Sequence, residues 1–385
     1  MPRAITAEKL RQLQDGDEPF SLVDTRASES YEGWRVAGAI NFRHTPDHEF
    51  DAEAFEAETG LTPEEEVITI CAKGKSSSSL ANALADAGYE NVSFVQDGME
   101  GWSRIYEVTV VPTHEPDIEI IQVQRRAKGC LGYVVGCASA GEAAVIDPTR
   151  HTEEFANVAA DAGYEITHVL DTHVHADHIS GGRALAEETG ASYHLGERAT
   201  DREVAYEFGS LGRNEVVTVG SIPIKALYTP GHTSEMVSYL VADEAVCTGD
   251  TLFVDSVGRT ELQFGDGEAR EGAALLYDSL HATLLALPDS VALLPGHFSV
   301  SEAGEYGVVS PGEPIAVTIG DVRTGLGLLE LEREAFVEAI TARLPEKPPN
   351  YERVIQINTG RREVSDGQEA IELELGPNRC AATSD

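Results

Sequence analysis

Lysine is the residue this chain has least of among its charged types: six in 385 residues, within 28 basic residues set against 66 acidic ones. The formal charge of -38 makes a field that repels nucleic acid and acidic membrane surfaces, so neither is expected as a partner. Acidic excess with scarce lysine along the whole length is the pattern of a halophilic, salt-adapted protein, and it concerns solubility rather than chemistry. No run approaches the roughly 18 apolar residues of a membrane span. The segment Met1 to Thr6 also lacks the basic and apolar regions of a secretory signal, so a cytoplasmic location is expected. Cysteine is sparse as well. Cys71, Cys130, Cys137, Cys247 and Cys380 form no CxxC pair and are odd in number, which argues for reduced thiols. Cys130, Cys137 and Cys247 sit in apolar, strand-like runs and read as small core residues. A 42% hydrophobic content over this length suffices for two or three domains.

What the chain does have is Asp171-Thr-His-Val-His-Ala-Asp-His178, directly after the apolar run Ile166 to Leu170, which reads as a short buried strand. A lone histidine is more often a core or surface residue than a ligand. Three histidines and an aspartate at this spacing supply converging N and O donors, which a solvated face does not need. His173 and His175 alternate as strand-end residues do, while Asp177 and His178 fall where the chain turns, so the two pairs can address two centres. Further donors follow: His232 in Thr229-Pro-Gly-His-Thr233, Asp250 in Thr248-Gly-Asp-Thr251, and His297 in Leu294-Pro-Gly-His297. Each ends an apolar run, where an α/β scaffold presents functional groups. His151, His168 and His194 lack partners in this set and read as structural. The ordered set resembles the metallo-β-lactamase superfamily over roughly residues 118–300, and that resemblance implies an αββα sandwich with a metal cleft at one edge.

Residues 1 to about 108 read as an α/β unit with a parallel sheet: strands at Ser21–Asp24, Val67–Ile70 and Val92–Val95, and a helix over Ser77–Ala87. Cys71-Ala-Lys-Gly-Lys-Ser76 lies between a strand and a helix start. Backbone N–H groups and the positive helix end there suit a thiolate or a bound anion, and Lys73 and Lys75 add charge as candidate substrate contacts. With Leu22-Val-Asp-Thr-Arg26, Gly38-Ala-Ile-Asn41 and Asp97-Gly-Met-Glu-Gly-Trp102, this loop resembles a rhodanese domain, which implies that Cys71 carries a persulfide sulfur. Many rhodaneses end the loop with arginine; Ser76 stands there instead, weakening the anion cradle.

The Pro- and charge-rich stretch Val111–Asp117 reads as a linker. The organisation expected is therefore a rhodanese-like domain at 1–108, a metallo-β-lactamase-fold domain at 118–310, and a C-terminal extension at 311–385 packed on or appended to it. Helices are expected at Thr152–Ala162, Arg183–Thr189, Leu275–Leu287 and Leu331–Leu344, a hairpin at Met236–Val246, and a short strand at Val354–Ile357.

Two chemistries compete for the metal site. Two zinc or iron ions sharing Asp250 would activate a bridging water, as in a glyoxalase II-like thioester hydrolase, with the rhodanese module non-catalytic. One Fe(II) per chain on His173, His232 and Asp250 would leave open positions suited to O2. Pro230-Gly-His-Thr233, Val237-Ser-Tyr239, Gly258-Arg-Thr260 and the tail resemble persulfide dioxygenases more than hydrolases. That resemblance implies oxidation of a small thiol persulfide to sulfite by O2, with glutathione as the implied carrier thiol. His175, Asp177, His178 and His297 would then orient ligands and substrate, and Arg259 and Thr260 are candidates to hold the carrier's carboxylates. A sulfurtransferase Cys71 fits the same substrate, since both halves handle sulfane sulfur. A third reading makes the Ser76-bearing module a binding or dimerisation domain, and homo-oligomerisation is left open.

Overall fold

The computed structural model describes residues 1–265, 267–342 and 346–382. The first sheet is built from β1 (Arg3–Ile5), β2 (Ser21–Asp24), β3 (Ile40–Asn41), β4 (Glu66–Ile70) and β5 (Asn91–Val95), all parallel, in the order β1-β5-β4-β2-β3. A strand buried on both faces is apolar throughout rather than alternating. Accordingly, Ile68 and Ile70 of β4 pack with Leu10 and Trp34 on one side, while Val67 packs with Phe55 and Leu80 on the other.

The second sheet holds β6 (Tyr106–Val111), β7 (Ile118–Arg125), β8 (Cys130–Cys137), β9 (Glu142–Ile146), β10 (Glu165–Leu170), β11 (Ser192–Gly196) and β12 (Gly209–Leu211), neighbours in sequence order. The third holds β13 (Val216–Val219), β14 (Ile222–Tyr228), β15 (Val237–Val241), β16 (Ala245–Gly249), β17 (Ala292–Pro295) and β18 (Val317–Thr318). Their facing sides interdigitate through Tyr133, Val135 and Ile146 against Ile224, Tyr239 and Val241. Phe155 and Leu185, from helices Thr152–Asp161 and Gly182–Thr189, cover the outer face of the second sheet. Leu276 and Phe336, from helices Ala269–Ser279 and Arg333–Ala342, cover that of the third. The result is the αββα sandwich the motif implied. Strands β10, β16 and β17 end at Leu170, Gly249 and Pro295, so the segments carrying Asp171–His178, Asp250 and His297 leave the sandwich together.

Four expectations are corrected. The stretch Val111–Asp117 is not an interdomain linker: β6 pairs antiparallel with β7 from Tyr106↔Arg125 to Val111↔Ile120, so it closes a hairpin inside the second sheet, and position 108 lies within β6. Val354–Ile357 is helical, within Tyr351–Asn358, because Val354 and Asn358 share a buried face four residues apart despite the β-branched run. The helix expected from Leu275 runs Ala269–Ser279 and closes through a π-turn at Leu280–Leu284. The last long helix spans Arg333–Ala342; Leu344 lies outside the described residues. No helix among the described residues is long and apolar enough to cross a membrane.

Candidate functional site

The metal loop is fixed from outside before any ligand matters. The Asp171 carboxylate accepts from Ser180 Oγ at 2.5 Å and Tyr193 OH at 2.8 Å. Asp147 accepts from the Thr172 N–H at 2.7 Å and lies 3.2 Å from His175 Nε2. The C-terminal extension completes the clasp. Asn358 donates to the carbonyls of His175 (2.9 Å) and His178 (2.8 Å), and Glu374 accepts from the Ile179 N–H at 2.8 Å. Glu374 is itself buried against Arg125 at 3.0 Å and Arg150 at 2.7 Å.

Inside this frame His173, His232 and Asp250 bring one donor atom each within 4.8 Å of the others, all buried. Asp250 Oδ2 lies 3.7 Å from His173 Nε2 and 3.5 Å from His232 Nε2. The other ring nitrogens are occupied: His232 Nδ1 donates to the Arg259 carbonyl at 2.7 Å, and His173 Nδ1 meets Thr172 Oγ1 at 2.9 Å. Burial and the neighbouring His175 hold the His173 imidazole well below its usual pKa, and burial also lowers that of His232, so both are neutral donors. Asp250 is kept ionised: burial opposes this, but His297 and then His173 and His232 outweigh it. His173 Nε2 and Asp250 Oδ2 are buried without hydrogen-bond partners. Orphaned donors converging in this way fit a cation, since burying them otherwise costs free energy with no return.

The remaining motif residues gather beside this triad. His297 Nδ1 is 2.6 Å from Asp250 Oδ1, and its Nε2 is 3.0 Å from Asp177 Oδ2. Burial opposes a charge on His297, but Asp250 and Asp177 raise its pKa well above the ordinary value. His178 lies 3.0 Å from Asp177; burial disfavours its cation, yet Asp177 and then Cys130 push it up to about 10. Cys130 is therefore not simply a core thiol: its Sγ is 3.7 Å from Asp177 and 3.8 Å from His178, whereas Cys137 and Cys247 do lie in the core between the sheets. Cys380, to which the sequence assigned no role, groups with Asp250 and His297. His168 and His194 bond each other at 3.1 Å, and His151 meets Tyr106 OH at 2.8 Å, away from the cluster.

Arg259 and Thr260 are corrected as substrate contacts. Both are buried. The Arg259 guanidinium is engaged by Glu261 and by the carbonyls of Glu346 at 3.0 Å and Arg379 at 2.9 Å, and Thr260 donates to the Ala269 carbonyl at 3.1 Å. Arg259 instead fixes the loop whose carbonyl orients His232.

In the first domain Cys71 directly follows the end of β4 at Ile70, and helix Lys75–Asp86 starts beside it after Gly74, whose φ of 83° suits glycine. A side chain at Gly74 would run into the Gln96 carbonyl. Cys71 Sγ lies 3.2 Å from Ser77 Oγ. Burial raises the thiol pKa, but the hydroxyls of Ser77 and Ser76 and the N–H groups of Ser77 and Lys73 bring it below the ordinary value. Ser76 thus contributes a hydroxyl where arginine was expected. A cavity of about 380 Å³ opens between this loop and the C-terminal extension, lined by Ala72, Lys73 and Glu100 on one side and Gln368, Leu375 and Arg379 on the other. Lys73 is paired with Glu100 at 3.0 Å, and Lys75 is exposed outside the lining.

Family profiles agree with both halves: the Rhodanese-like domain matches residues 6–105 and the Metallo-beta-lactamase superfamily residues 125–297. The chain belongs to the metallo-beta-lactamase superfamily, with a rhodanese-like domain fused ahead of it. Among curated proteins it is 31% identical over 205 residues to the hydroxyacylglutathione hydrolase of Rhodospirillum rubrum, covering 53% of this chain and 72% of that one. It is 27% identical over 185 residues to the persulfide dioxygenase ETHE1 of Mus musculus, covering 46% and 69%. A beta-lactamase hydrolase-like protein of Xylella fastidiosa is 33% identical over 195 residues, 43% of this chain; the match spans only 44% of that protein's length. The solved ETHE1 from Myxococcus xanthus superposes with a TM-score of 0.52 at 29% identity, over 65% of this chain and 98% of that one.

Proposed function

We propose that the chain is a mononuclear non-haem iron persulfide dioxygenase that oxidises a low-molecular-weight thiol persulfide to sulfite, with the rhodanese domain moving sulfane sulfur on Cys71. The observation that carries this reading is the 2.6 Å contact of His297 Nδ1 with Asp250 Oδ1. It engages one carboxylate oxygen and leaves Oδ2 alone to complete a face with His173 and His232, so Asp250 serves one metal rather than bridging two. Two imidazoles and a carboxylate with open positions are a donor set suited to ferrous iron. When bound, iron supplies binding positions for O2 and for the outer persulfide sulfur, and each turnover consumes one O2 and one water to release thiol and sulfite.

The chain's own residues set the stage for that reaction. Thr172 and the Arg259 carbonyl hold the two imidazoles with Nε2 forward, and the buried walls keep bulk water off the centre. His297, held between two carboxylates, is placed to steady charge at Asp250 and to donate a proton as sulfite forms. We further infer that the protein works in the cytoplasm of a salt-rich cell, on the strength of its charge.

A thioester hydrolase remains the competing reading, favoured by the unpartnered His175 Nδ1 and His178 Nε2, which a two-metal site would use. Anaerobic purification with metal analysis and O2 uptake on glutathione persulfide separates the two. One iron per chain with persulfide-dependent uptake is expected. Two metals per chain with thioester cleavage and no O2 uptake would overturn the dioxygenase.

A further inference from the structure

The cavity of about 380 Å³ beside the Cys71 loop is made by both halves of the chain, and its volume is that of a small-molecule site. One wall stands beyond the carboxyl ends of β2, β4 and β5, where an open α/β sheet receives ligands, and carries Trp34, Ala72, Lys73 and Glu100. The facing wall is the C-terminal extension, with Leu375 and Arg379. The second half of the chain holds that wall in place. Lys128 Nζ donates to the carbonyls of Glu374 and Gly376, each at 3.3 Å, and the Asn378 side chain donates to the carbonyls of Lys128 (2.8 Å) and Phe298 (2.9 Å). Across the seam the Arg35 N–H donates to the Glu302 carbonyl at 3.0 Å, and Arg126 pairs with Asp15. Two features mark the cavity as a ligand site rather than a packing flaw. Leu375 is 42% exposed although Leu373 and Glu374 just before it are buried, so a fixed tail leaves an apolar side chain uncovered against this opening. The cations at the rim also hold only weak partners: Arg379 meets Glu346 at 2.8 Å and Glu302 at 3.3 Å, both exposed, and the exposed Lys73 meets Glu100. Exposed ion pairs contribute little, so an incoming carboxylate can take their place. Arg26 differs, being committed to Asp24 and to the Trp34 carbonyl.

We propose that this cavity seats the small thiol that takes sulfane sulfur from Cys71, and that the C-terminal extension recognises it, Arg379 through a carboxylate and Leu375 through the carbon skeleton. The inference rests on the sulfurtransferase reading of Cys71 and extends it to residues of the other half of the chain. The acceptor thiolate, its proton already lost to solvent, attacks the outer sulfur of the Cys71 persulfide. A sulfur–sulfur bond to the acceptor forms as the one to Cys71 Sγ breaks. Cys71 leaves as a thiolate beside the Ser76 and Ser77 hydroxyls, and the acceptor departs as its own persulfide, with total charge and electron count unchanged. The reactivity of Cys71 stays a property of its own loop, whereas the seat of its partner is shared between the halves.

The test loads Cys71 of the full-length protein with sulfur from thiosulfate, without air, and follows its discharge by intact-protein mass spectrometry with glutathione or cyanide as acceptor. Arg379→Ala, which removes one charge-assisted hydrogen bond, is expected to raise the glutathione concentration giving half the limiting rate about tenfold and to keep the limiting rate. Leu375→Trp, which fills the cavity, should slow discharge by glutathione at least as much. Glu346→Gln, which takes a competing carboxylate from Arg379, should lower the half-saturating concentration. Cyanide is too small to need the cavity, so the Arg379 and Leu375 variants should lose far more with glutathione than with cyanide. Glutathione kinetics untouched by both variants, or glutathione and cyanide discharge falling together, would overturn the proposal. A wild-type Cys71 that takes up no sulfur from thiosulfate would instead sink the sulfurtransferase reading. Isothermal titration of glutathione then still decides the cavity: binding to the wild type that Leu375→Trp abolishes supports it, and equal binding or none to the wild type overturns it.

Discussion

The Cys71 loop and the candidate metal centre both gather polar groups around a buried spot, and they are made in opposite ways. At Cys71 the donors come from the same short stretch: two hydroxyls and two N–H groups from residues 73–77 surround the thiol at the head of one helix. At the metal centre the three candidate ligands come from three strand ends, and the loop that carries His173 is held by Asn358 and Glu374 from the far end of the chain. A local site needs only its own domain. An assembled site shares its stability with the whole fold, so damage far away should be felt there and not at Cys71.

The sharpest break of that comparison is Asp250→Ala. It should lower metal content to trace levels and persulfide-dependent O2 uptake to background, while cyanide-dependent sulfur transfer through Cys71 stays at the wild-type rate; the two activities of one preparation check it. Next in size is Glu374→Ala, which leaves Arg125 and Arg150 without their buried carboxylate. It should cost about 3–5 kcal/mol of stability by denaturant titration and loosen metal binding without moving Cys71 reactivity. Glu374 also sets an acid limit. Burial opposes its charge, but Arg125, Arg150 and Lys128 bring its pKa from 4.5 to about 2. Its stabilisation is therefore complete above pH 4.5 and drains away as pH falls towards 2, and Glu374→Gln should flatten the stability–pH curve across that window.

Smaller still is Arg259→Lys, which keeps the charge but cannot reach Glu261 and two carbonyls together. A loss of about 1–3 kcal/mol is expected, seen as a lower melting temperature; a rise in KM with unchanged stability would restore Arg259 as a substrate contact. The smallest change falls on the local site. Ser77→Ala removes one hydroxyl from the thiol, so the pH profile of Cys71 alkylation should move upward while metal content stays the same.

The same contrast explains what could be read without coordinates. The convergent donor cluster was legible because Asp171–His178 lie in one loop after one strand, and because His232, Asp250 and His297 each follow a glycine at the end of an apolar run. The Cys71 loop was legible for a similar reason. Glu374 and Asn358 were not: Ile179 and Glu374 are 195 residues apart, and an acidic residue in an acidic tail carries no signal of its partner. Val354 to Ile357 misled by its β-branched composition, since contact with Ile179, Ala370 and Leu373, rather than propensity, decides its helix. The charged stretch before Asp117 looked like a boundary because hairpin turns and linkers draw on the same residues. Cys130 looked like core because its strand is core; only the neighbouring Asp177 and His178 distinguish it.

The clasp by Asn358 and Glu374 also sets an order of events during synthesis. Every strand of the first sheet is complete by Val95, so that domain can close while the rest of the polypeptide is still being made. The histidine-bearing loop, by contrast, lacks its C-terminal clasp until a partner 195 residues beyond Ile179 has left the ribosome. Filling of the metal site would thus be a late step of maturation, and a truncated product would retain its rhodanese-like half while lacking a complete metal-binding one.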